Sequence, residues 1–191
     1  NKKKYLIYGL PYVYEEQTLE LGEYKVNIKP KSFGESRIEI TDTNLVTPKL
    51  SDQERASAEY LKVKEIVKVH SPQFTNDFDF ISPIDSVITS QFGKRRFIND
   101  NPRSPHMALD LRGAVGKEIF APMAGNVVMT ETHFYGGNKI ILDHGGGLFT
   151  AYSHLDQFNV EEGEFIEQGA VIGFVGMTGR VTGPHLHWEV Y

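Results

Sequence analysis

The chain has 191 residues, of which 40% are hydrophobic and 24% charged, the composition of a folded globular protein with one sizeable domain or two small ones. Its formal net charge of -5 provides no basic face for a phosphate backbone, so nucleic acid is excluded as a partner. The absence of cysteine excludes disulfides, thiolate catalysis and cysteine-based zinc sites, and leaves imidazole and carboxylate as the strong metal ligands.

The first part of the chain predicts short strands. Its apolar residues alternate with polar ones and are separated by glycine and proline, which is typical of half-buried strands that end in turns. The strand candidates lie at 5–8, 24–28 and 38–40.

A helix is predicted at residues 51–69. Ser51 and Glu54 have the spacing of a capping box. Apolar residues then recur at helical intervals, at Ala56, Tyr60, Val63 and Val67. Together with the strands, this helix predicts a small β-rich accessory domain at residues 1–70.

A linker is predicted at 71–80, where Pro72 disfavours helical geometry for the residue before it. Residues 81–191 then predict a second domain that is almost entirely β, an antiparallel sheet folded on itself, because many short apolar runs are separated by glycine-rich turns. The strand candidates lie at 87–90, 118–121, 127–129, 139–142, 148–152, 165–166, 171–174 and 186–191.

His185 and His187 form the most informative pair of side chains. Residues two apart in a strand point to the same face, about 6.6 Å apart, so the two imidazoles lie side by side. One can bind a metal while the other contacts a substrate on that metal. An isolated pair of this kind is as often a surface or hydrogen-bonded feature.

His106 and Asp110 are a second candidate pair. In a straight strand they would lie about 13 Å apart, too far to bind one ion. Pro105 and the polar residues 99–104 favour a loop that folds the imidazole back over a strand starting near Ala108. Their spacing alone is a weak signal for a site.

Three motifs together resemble the lysostaphin/LytM-type zinc metallopeptidases, with a likeness that extends from about Ile81 to the end of the chain. They are Pro105-His106 with Asp110, the sequence at 152–155, and Thr-Gly-Arg-Val-Thr-Gly-Pro-His-Leu-His-Trp at 178–188. The resemblance implies that residues 81–191 are the zinc metallopeptidase domain.

By this resemblance His106, Asp110 and His187 bind one zinc ion per chain, which leaves the fourth tetrahedral position for water. His154 and His185 are then the catalytic histidines. They are suited to accept the proton of that water, to stabilise the oxyanion or to protonate the leaving amine.

The resemblance implies a peptidoglycan endopeptidase that hydrolyses peptide cross-links during cell-wall remodelling. It is nearest to periplasmic Gram-negative members with an N-terminal β-rich domain, which favours a D-alanyl to diaminopimelate bond over a pentaglycine bridge. We therefore expect an exported protein of the periplasm or cell envelope whose signal lies outside this chain. The accessory domain either positions the enzyme against the wall or a regulatory or scaffold protein, or covers the groove.

Two alternatives belong to other functional classes. Some relatives of these enzymes are non-catalytic scaffolds or activators of other wall hydrolases, although retention of all five polar groups argues against this. Residues 121–127 and 160–173 also resemble the biotinyl/lipoyl hairpin sandwich, but no Met-Lys-Met modification site lies between them.

The remaining histidines are predicted to be structural. His70 is expected to be solvated and His133 to precede a turn, while His144 lies at a hairpin tip and is the one of the three expected nearest the cleft. The basic residues Arg95, Arg96 and Arg103 could meet acidic peptide stems, but basic loop residues are usually solvated.

Overall fold

The computed structural model of the protein describes residues 8–72 and 79–191. No helix in these two ranges is both long and apolar enough to cross a membrane. The helices and strands, in chain order, are β1 (Gln17–Leu21), β2 (Tyr24–Ile28), β3 (Glu35–Ile38), α1 (Thr43–Val46), α2 (Leu50–Ile66), β4 (Ile88–Ser90), β5 (Arg95–Ile98), β6 (Asn101–Arg103), β7 (Leu109–Arg112), β8 (Glu118–Phe120), β9 (Gly125–His133), β10 (Gly137–Asp143), β11 (Phe149–Phe158), β12 (Phe165–Ile166), β13 (Val171–Val175) and β14 (His185–Val190).

One antiparallel sheet dominates the fold. Its strands follow the order β12-β9-β10-β11-β14-β7-β4, and β13 pairs with both β11 and β8. The prediction of a mainly β protein built on an antiparallel sheet is therefore confirmed. The predicted strands of residues 81–191 are all present, and several are longer than their apolar runs.

The sheet is buried on both faces, because successive side chains of a strand point to opposite sides. Ile140 and Leu142 of β10 pack into a large cluster with Tyr152 and Leu186. Ile141, which lies between them, points the other way into a second cluster. The central strands are thus enclosed between two apolar layers.

Helix α2 supplies the cover of the second cluster. Val63 is buried there against Met129, Ile141 and Phe149, and Ile66 packs beside it. Arg55 adds a polar contact, because its Nη2 donates to the carbonyl of Thr132 at 2.8 Å. A helix from the first 70 residues is therefore part of the packing of the main sheet.

The other N-terminal strands have two different partners. β1 and β2 form an antiparallel hairpin with each other. β3 instead pairs in parallel with β5, which pairs with β6. The assignment of residues 1–70 as an accessory domain stays a prediction, and it includes three elements, β3, α1 and α2, that contact later parts of the chain.

The predicted helix start was wrong. The helix begins at Leu50 with Lys49 as its N-cap and without a side-chain capping bond, so Ser51 lies inside the helix and the capping box is absent. Gln53 instead donates from its side chain to the carbonyl of Pro48 at 2.7 Å. The helix ends at Ile66, with Val67 as its C-cap, three residues before the predicted end.

Other expectations differ at the strand ends. The strand expected at 38–40 ends at Ile38 as β3, and Ile40 donates its N–H to the Asn99 side chain at 2.9 Å. Residues 5–7 of the first strand candidate, and 73–78 of the linker, lie outside the described residues. Sequence patterns missed the exposed or short elements β1, β5, β6 and α1.

The packing of α2 predicts that Val63→Ala lowers the free energy of unfolding by about 1–3 kcal/mol, through lost apolar contacts and a residual cavity. Urea unfolding monitored by circular dichroism measures it. The matched control is Leu61→Ala, since Leu61 is 58% exposed and its loss should change stability by less than about 0.5 kcal/mol. Equal effects of the two substitutions would contradict the packing described here.

Candidate metal centre

His106 and Asp110 are brought together by strand β7 and by a loop that two backbone hydrogen bonds hold in place. The N–H of His106 donates to the carbonyl of Lys94 at 2.9 Å, and the N–H of Gly93 donates back to His106 at 2.7 Å. Strand β7 begins three residues after His106, at Leu109, and Asp110 is its second residue. The Nε2 atom of His106 lies 3.0 Å from Oδ1 of Asp110, as the predicted loop requires.

The register of β14 adds His187 to this pair. His187 lies directly opposite Asp110 on β7, and its Nδ1 is 2.8 Å from Asp110 Oδ1 and 3.2 Å from His106 Nε2. Leu186, between the two histidines of the strand, is fully buried on the other face. The predicted same-face placement of His185 and His187 is confirmed.

The donor set of this trio fits a zinc ion. Ligands at 2.0–2.2 Å from a tetrahedral zinc lie about 3.3 Å from each other, close to the separations of the three atoms. The Nδ1–H of His106 donates to the carbonyl of Gln91 at 3.1 Å, which leaves Nε2 free as a ligand atom. Two imidazoles and one carboxylate also leave room for a fourth ligand.

His154 and His185 lie beside this trio. The ring centroids of His154 and His185 are 5.0 Å apart, and the ring centroids of His154 and His187 are 5.6 Å apart. The Nδ1–H of His154 donates to the carbonyl of Thr178 at 2.9 Å, and that of His185 to Gly183 at 2.8 Å. Both Nε2 atoms therefore remain available for a substrate or a water molecule.

His154, His185 and His187 form a second group of nitrogens close enough to hold an ion. It shares His187 with the first group but contains no carboxylate. The trio with Asp110 offers the more favourable set for a divalent cation, because Asp110 brings a negative charge.

His154 has a strained backbone conformation, with φ at 68° in the left-handed region. Such strain persists only where neighbouring structure holds it in place. Here the N–H of His154 donates to Gly136 at 2.7 Å, and its ring is held by Thr178. A Cβ on Gly137 would lie 2.2 Å from Thr178 Oγ1, so glycine is required for this close approach.

Glu189 lies on the other side of the His187 ring. The Nε2 of His187 is 3.9 Å from Glu189 Oε1, which also accepts from Tyr191 Oη at 2.9 Å. Its second oxygen accepts from Lys139 Nζ at 2.6 Å. This separation is longer than a hydrogen bond, but the negative charge of Glu189 favours a proton on Nε2 of His187, which leaves Nδ1 as the nitrogen that faces Asp110.

Burial and neighbouring charges shift the pKa values of the cluster. Burial raises the pKa of Asp110, but hydrogen bonds from His106 and His187 outweigh it and hold the pKa far below its usual range. Burial lowers the pKa of His187, but the interactions of its ring with Asp110 and Glu189 together outweigh burial and raise that pKa. Burial, together with the charges of His187 and His185, lowers the pKa of His154 to about 3, so it is neutral at pH 7.

The remaining histidines lie apart from the cluster. The expectation that His144 lies near the cleft was wrong: it is fully buried, with Nδ1 2.8 Å from the Ala124 carbonyl and Nε2 2.7 Å from Thr150 Oγ1. These bonds satisfy both ring nitrogens inside the fold. His70 is exposed, as predicted, and His133 precedes a turn.

Sequence reasoning named Arg96 as a basic residue that could meet an acidic peptide stem, but it missed two charged residues near the cluster, Arg180 and Glu189. Arg96 and Arg180 line the groove that also contains Asp110 and His185. Glu189 could have been found from its spacing, because it shares a strand face with His185 and His187. No local pattern indicates Arg180, which comes from the segment between β13 and β14.

Comparisons with known proteins agree with this arrangement. The profile of peptidase family M23 matches residues 104–191. Peptidoglycan DD-endopeptidase ShyA of Vibrio cholerae is 40% identical over 111 residues, which are 56% of this chain and 26% of that protein. The chain thus matches about a quarter of the length of this relative.

Solved structures share the fold. A protein from Pseudomonas aeruginosa described as an M23 peptidase is 28% identical, with a TM-score of 0.68 over 92% of this chain and 68% of its own. A zinc-containing peptidase from Vibrio cholerae is 35% identical, with a TM-score of 0.56 over 59% and 36%. The catalytic domain of lysostaphin from Staphylococcus simulans is 30% identical, with a TM-score of 0.50 over 55% and 79%.

Residues 104–191 form a domain of peptidase family M23. The family match includes the loop of His106, strand β7 and strand β14, which carry the cluster described above. This match of residues 104–191 favours a peptidase over the carrier-module alternative.

The cluster predicts that divalent metal binds more weakly as the pH falls. His106 and His187 must be unprotonated to act as ligands, and the raised pKa of His187 in the metal-free protein makes protons compete at higher pH. Lowering the pH from 8 to 6 should weaken zinc affinity by about tenfold or more. Competition with a chromophoric chelator measures this, with His70→Ala as the control. An affinity independent of pH would contradict histidine ligation.

Proposed function

We propose that this protein is a zinc-dependent endopeptidase that hydrolyses peptide cross-links of peptidoglycan, with one zinc ion per chain held by His106, Asp110 and His187. The observation that carries the proposal is the convergence of their three ligand atoms within 2.8–3.2 Å of each other. The wall-directed activity named for ShyA supports the substrate class. Such an activity implies a location in the periplasm or cell envelope.

A zinc ion at this site supplies Lewis acidity that lowers the pKa of a water molecule and polarises the scissile carbonyl. Asp110 brings the negative charge that compensates the ion, and its low pKa keeps it ionised throughout the physiological range. Glu189 places a negative charge 3.9 Å from the Nε2 atom of His187. These groups keep the ligand atoms oriented before a substrate arrives.

His154 and His185 move the protons of the reaction. Hydrolysis adds hydroxyl to the carbonyl carbon and a proton to the leaving nitrogen. His154 is neutral at pH 7, so its free Nε2 accepts a proton from the attacking water. His185 lines the same groove with its Nδ1–H bonded to Gly183. In the doubly protonated form of this ring, Nε2 donates a hydrogen bond to the oxyanion or a proton to the leaving amine.

Substitution of the two kinds of histidine should have different effects. His187→Ala should lose both zinc and activity, whereas His154→Ala should retain zinc and lose about 10²–10⁴-fold in rate. Metal analysis of the purified protein and mass spectrometry of digests of defined muropeptides measure the two properties. His70→Ala is the control and should behave like the unmodified protein. Identical digests by the unmodified protein and His187→Ala would refute the mechanism.

The alternative role as a non-catalytic scaffold is tested by removing the metal. A chelator should abolish cleavage of cross-linked peptidoglycan, and added zinc should restore it. A scaffold would instead bind its partner equally well without metal and release no peptide products.

The N-terminal segment restrains access to the site. Ser36, Ile38 and Ile40 line the same groove as the catalytic histidines. The following helix α1 is tied down at its end, since Arg180 and Arg103 donate to the carbonyls of Leu45 and Val46 at 3.3 Å. Of the two roles considered for the accessory region, these contacts favour covering the groove.

Removal of residues 1–47 should therefore open the groove and raise kcat/KM on cross-linked peptide by on the order of tenfold. Substrate binds only to molecules whose groove is open, so covering the groove lowers the apparent affinity for substrate in proportion to the open fraction. This truncation keeps α2 and the buried Val63. Steady-state cleavage assays measure the change.

The matched control removes residues 1–30, which deletes the β1–β2 hairpin but keeps β3 and α1, and should leave kcat/KM unchanged. Zinc content and circular dichroism establish that each shortened protein is folded. Equal activity of the two truncations would contradict the covering role.

A further inference from the structure

Two half-buried arginines line the groove beside the metal-ligand cluster. Arg96 comes from β5, and its side chain is 21% exposed with Nη2 4.0 Å from Asp110 Oδ2. Its Nε is buried and has no hydrogen-bond partner in residues 8–72 and 79–191. Arg180 enters the same groove from the segment before β14. Partly desolvated guanidinium groups are costly to leave without an anionic partner.

Positive charge exceeds negative charge in this part of the groove and beside it, where the exposed Arg103 of β6 lies opposite Arg96 of β5. Burial lowers the pKa of Arg180, and the nearby charges of Arg96 and Arg103 lower it further, against an opposing effect of Tyr135. Across the described ranges, the one carboxylate within ion-pair distance of these three arginines is that of Asp110. Because Asp110 also serves the metal-ligand trio, an added anion would relieve the repulsion among the arginines.

Arg180 and Arg103 have no anionic partner among the described residues, although the Arg180 guanidinium lies 4.0 Å from the centroid of the Tyr135 ring. Arg180 and Arg103 donate to the backbone carbonyls of Leu45 and Val46, each over 3.3 Å. A carboxylate forms shorter and stronger bonds with a guanidinium group than a neutral carbonyl does. A substrate carboxylate therefore has the advantage over the covering segment for the same donors.

We propose that Arg96, Arg103 and Arg180 form a carboxylate-binding subsite, which selects cross-links that carry a free carboxylate next to the scissile amide nitrogen. This inference rests on the proposed peptidase function. A D-alanyl to diaminopimelate link has such a carboxylate on the carbon bonded to that nitrogen, whereas an internal bond of a pentaglycine bridge has none. The 4.0 Å contact between Arg96 and Asp110 sets this subsite directly beside the ligand trio.

The subsite also connects substrate binding to access. A carboxylate that takes the donors of Arg180 and Arg103 removes the two bonds that hold the end of α1. Acidic substrate thus displaces the covering segment, and a neutral peptide does not.

The test compares a synthetic D-alanyl to diaminopimelate cross-linked peptide with the same peptide amidated at the carboxylate beside the scissile nitrogen. The unmodified zinc-loaded protein should cleave the free acid with a kcat/KM about 10- to 100-fold higher, the value of a charge-assisted contact. Arg180→Gln should reduce this ratio at least fivefold, with most of the loss on the free acid. Arg95→Gln is the matched control, because Arg95 is exposed on the same strand as Arg96 and should keep the ratio.

Binding provides a readout independent of turnover. Calorimetry with zinc-loaded His154→Ala should give tighter binding of the free acid, and Arg180→Gln in that background should remove the difference. Arg103→Gln tests the same prediction at the groove rim if Arg180→Gln does not fold. If the unmodified protein cleaves and binds the two peptides equally well, the proposed subsite is refuted, while the peptidase function remains intact. Preferential binding of the acid without any cleavage would retain the subsite and refute the peptidase function.

Discussion

The register of β14 between β7 and β11 is the constraint on which the site depends. It sets His187 opposite Asp110 on one side and opposite Ser153 on the other. Since side chains alternate along a strand, a slip of one residue would turn His187 into the core and Leu186 into the groove. Burial of Leu186 on one face therefore helps to fix the position of a polar group on the other.

Other residues of the site are placed by loops or by irregular backbone rather than by regular strand geometry. His106 is held by backbone bonds to the segment before β5, and Arg180 comes from the segment before β14. His154 lies within β11 but adopts a left-handed backbone conformation that the Gly136 and Thr178 contacts stabilise. Rigid strands give the ligands their spacing, and these local irregularities aim the remaining side chains into the same groove.

The N-terminal elements have two separate relationships with the sheet. α2 is held by an apolar contact through Val63, which contributes to stability at any stage of a reaction cycle. β3 and α1 are held mainly by strand pairing and by two long arginine bonds across the groove. The contacts of β3 and α1 are thus weaker than that of α2, and they lie over the site. This is the arrangement expected of a segment that substrate displaces.

The sequence by itself determined the antiparallel strands, the common face of His185 and His187 and the family resemblance of the motifs, because alternation and short motifs are local properties of the chain. Tertiary structure decided which distant segments meet. The pairing of β3 with β5 crosses the predicted domain boundary, and the burial of His144 depends on the Ala124 and Thr150 contacts. The position of Arg180 in the groove was likewise decided by tertiary structure. The sequence did not indicate it, because contacts between segments far apart in sequence leave no periodic signal in either segment.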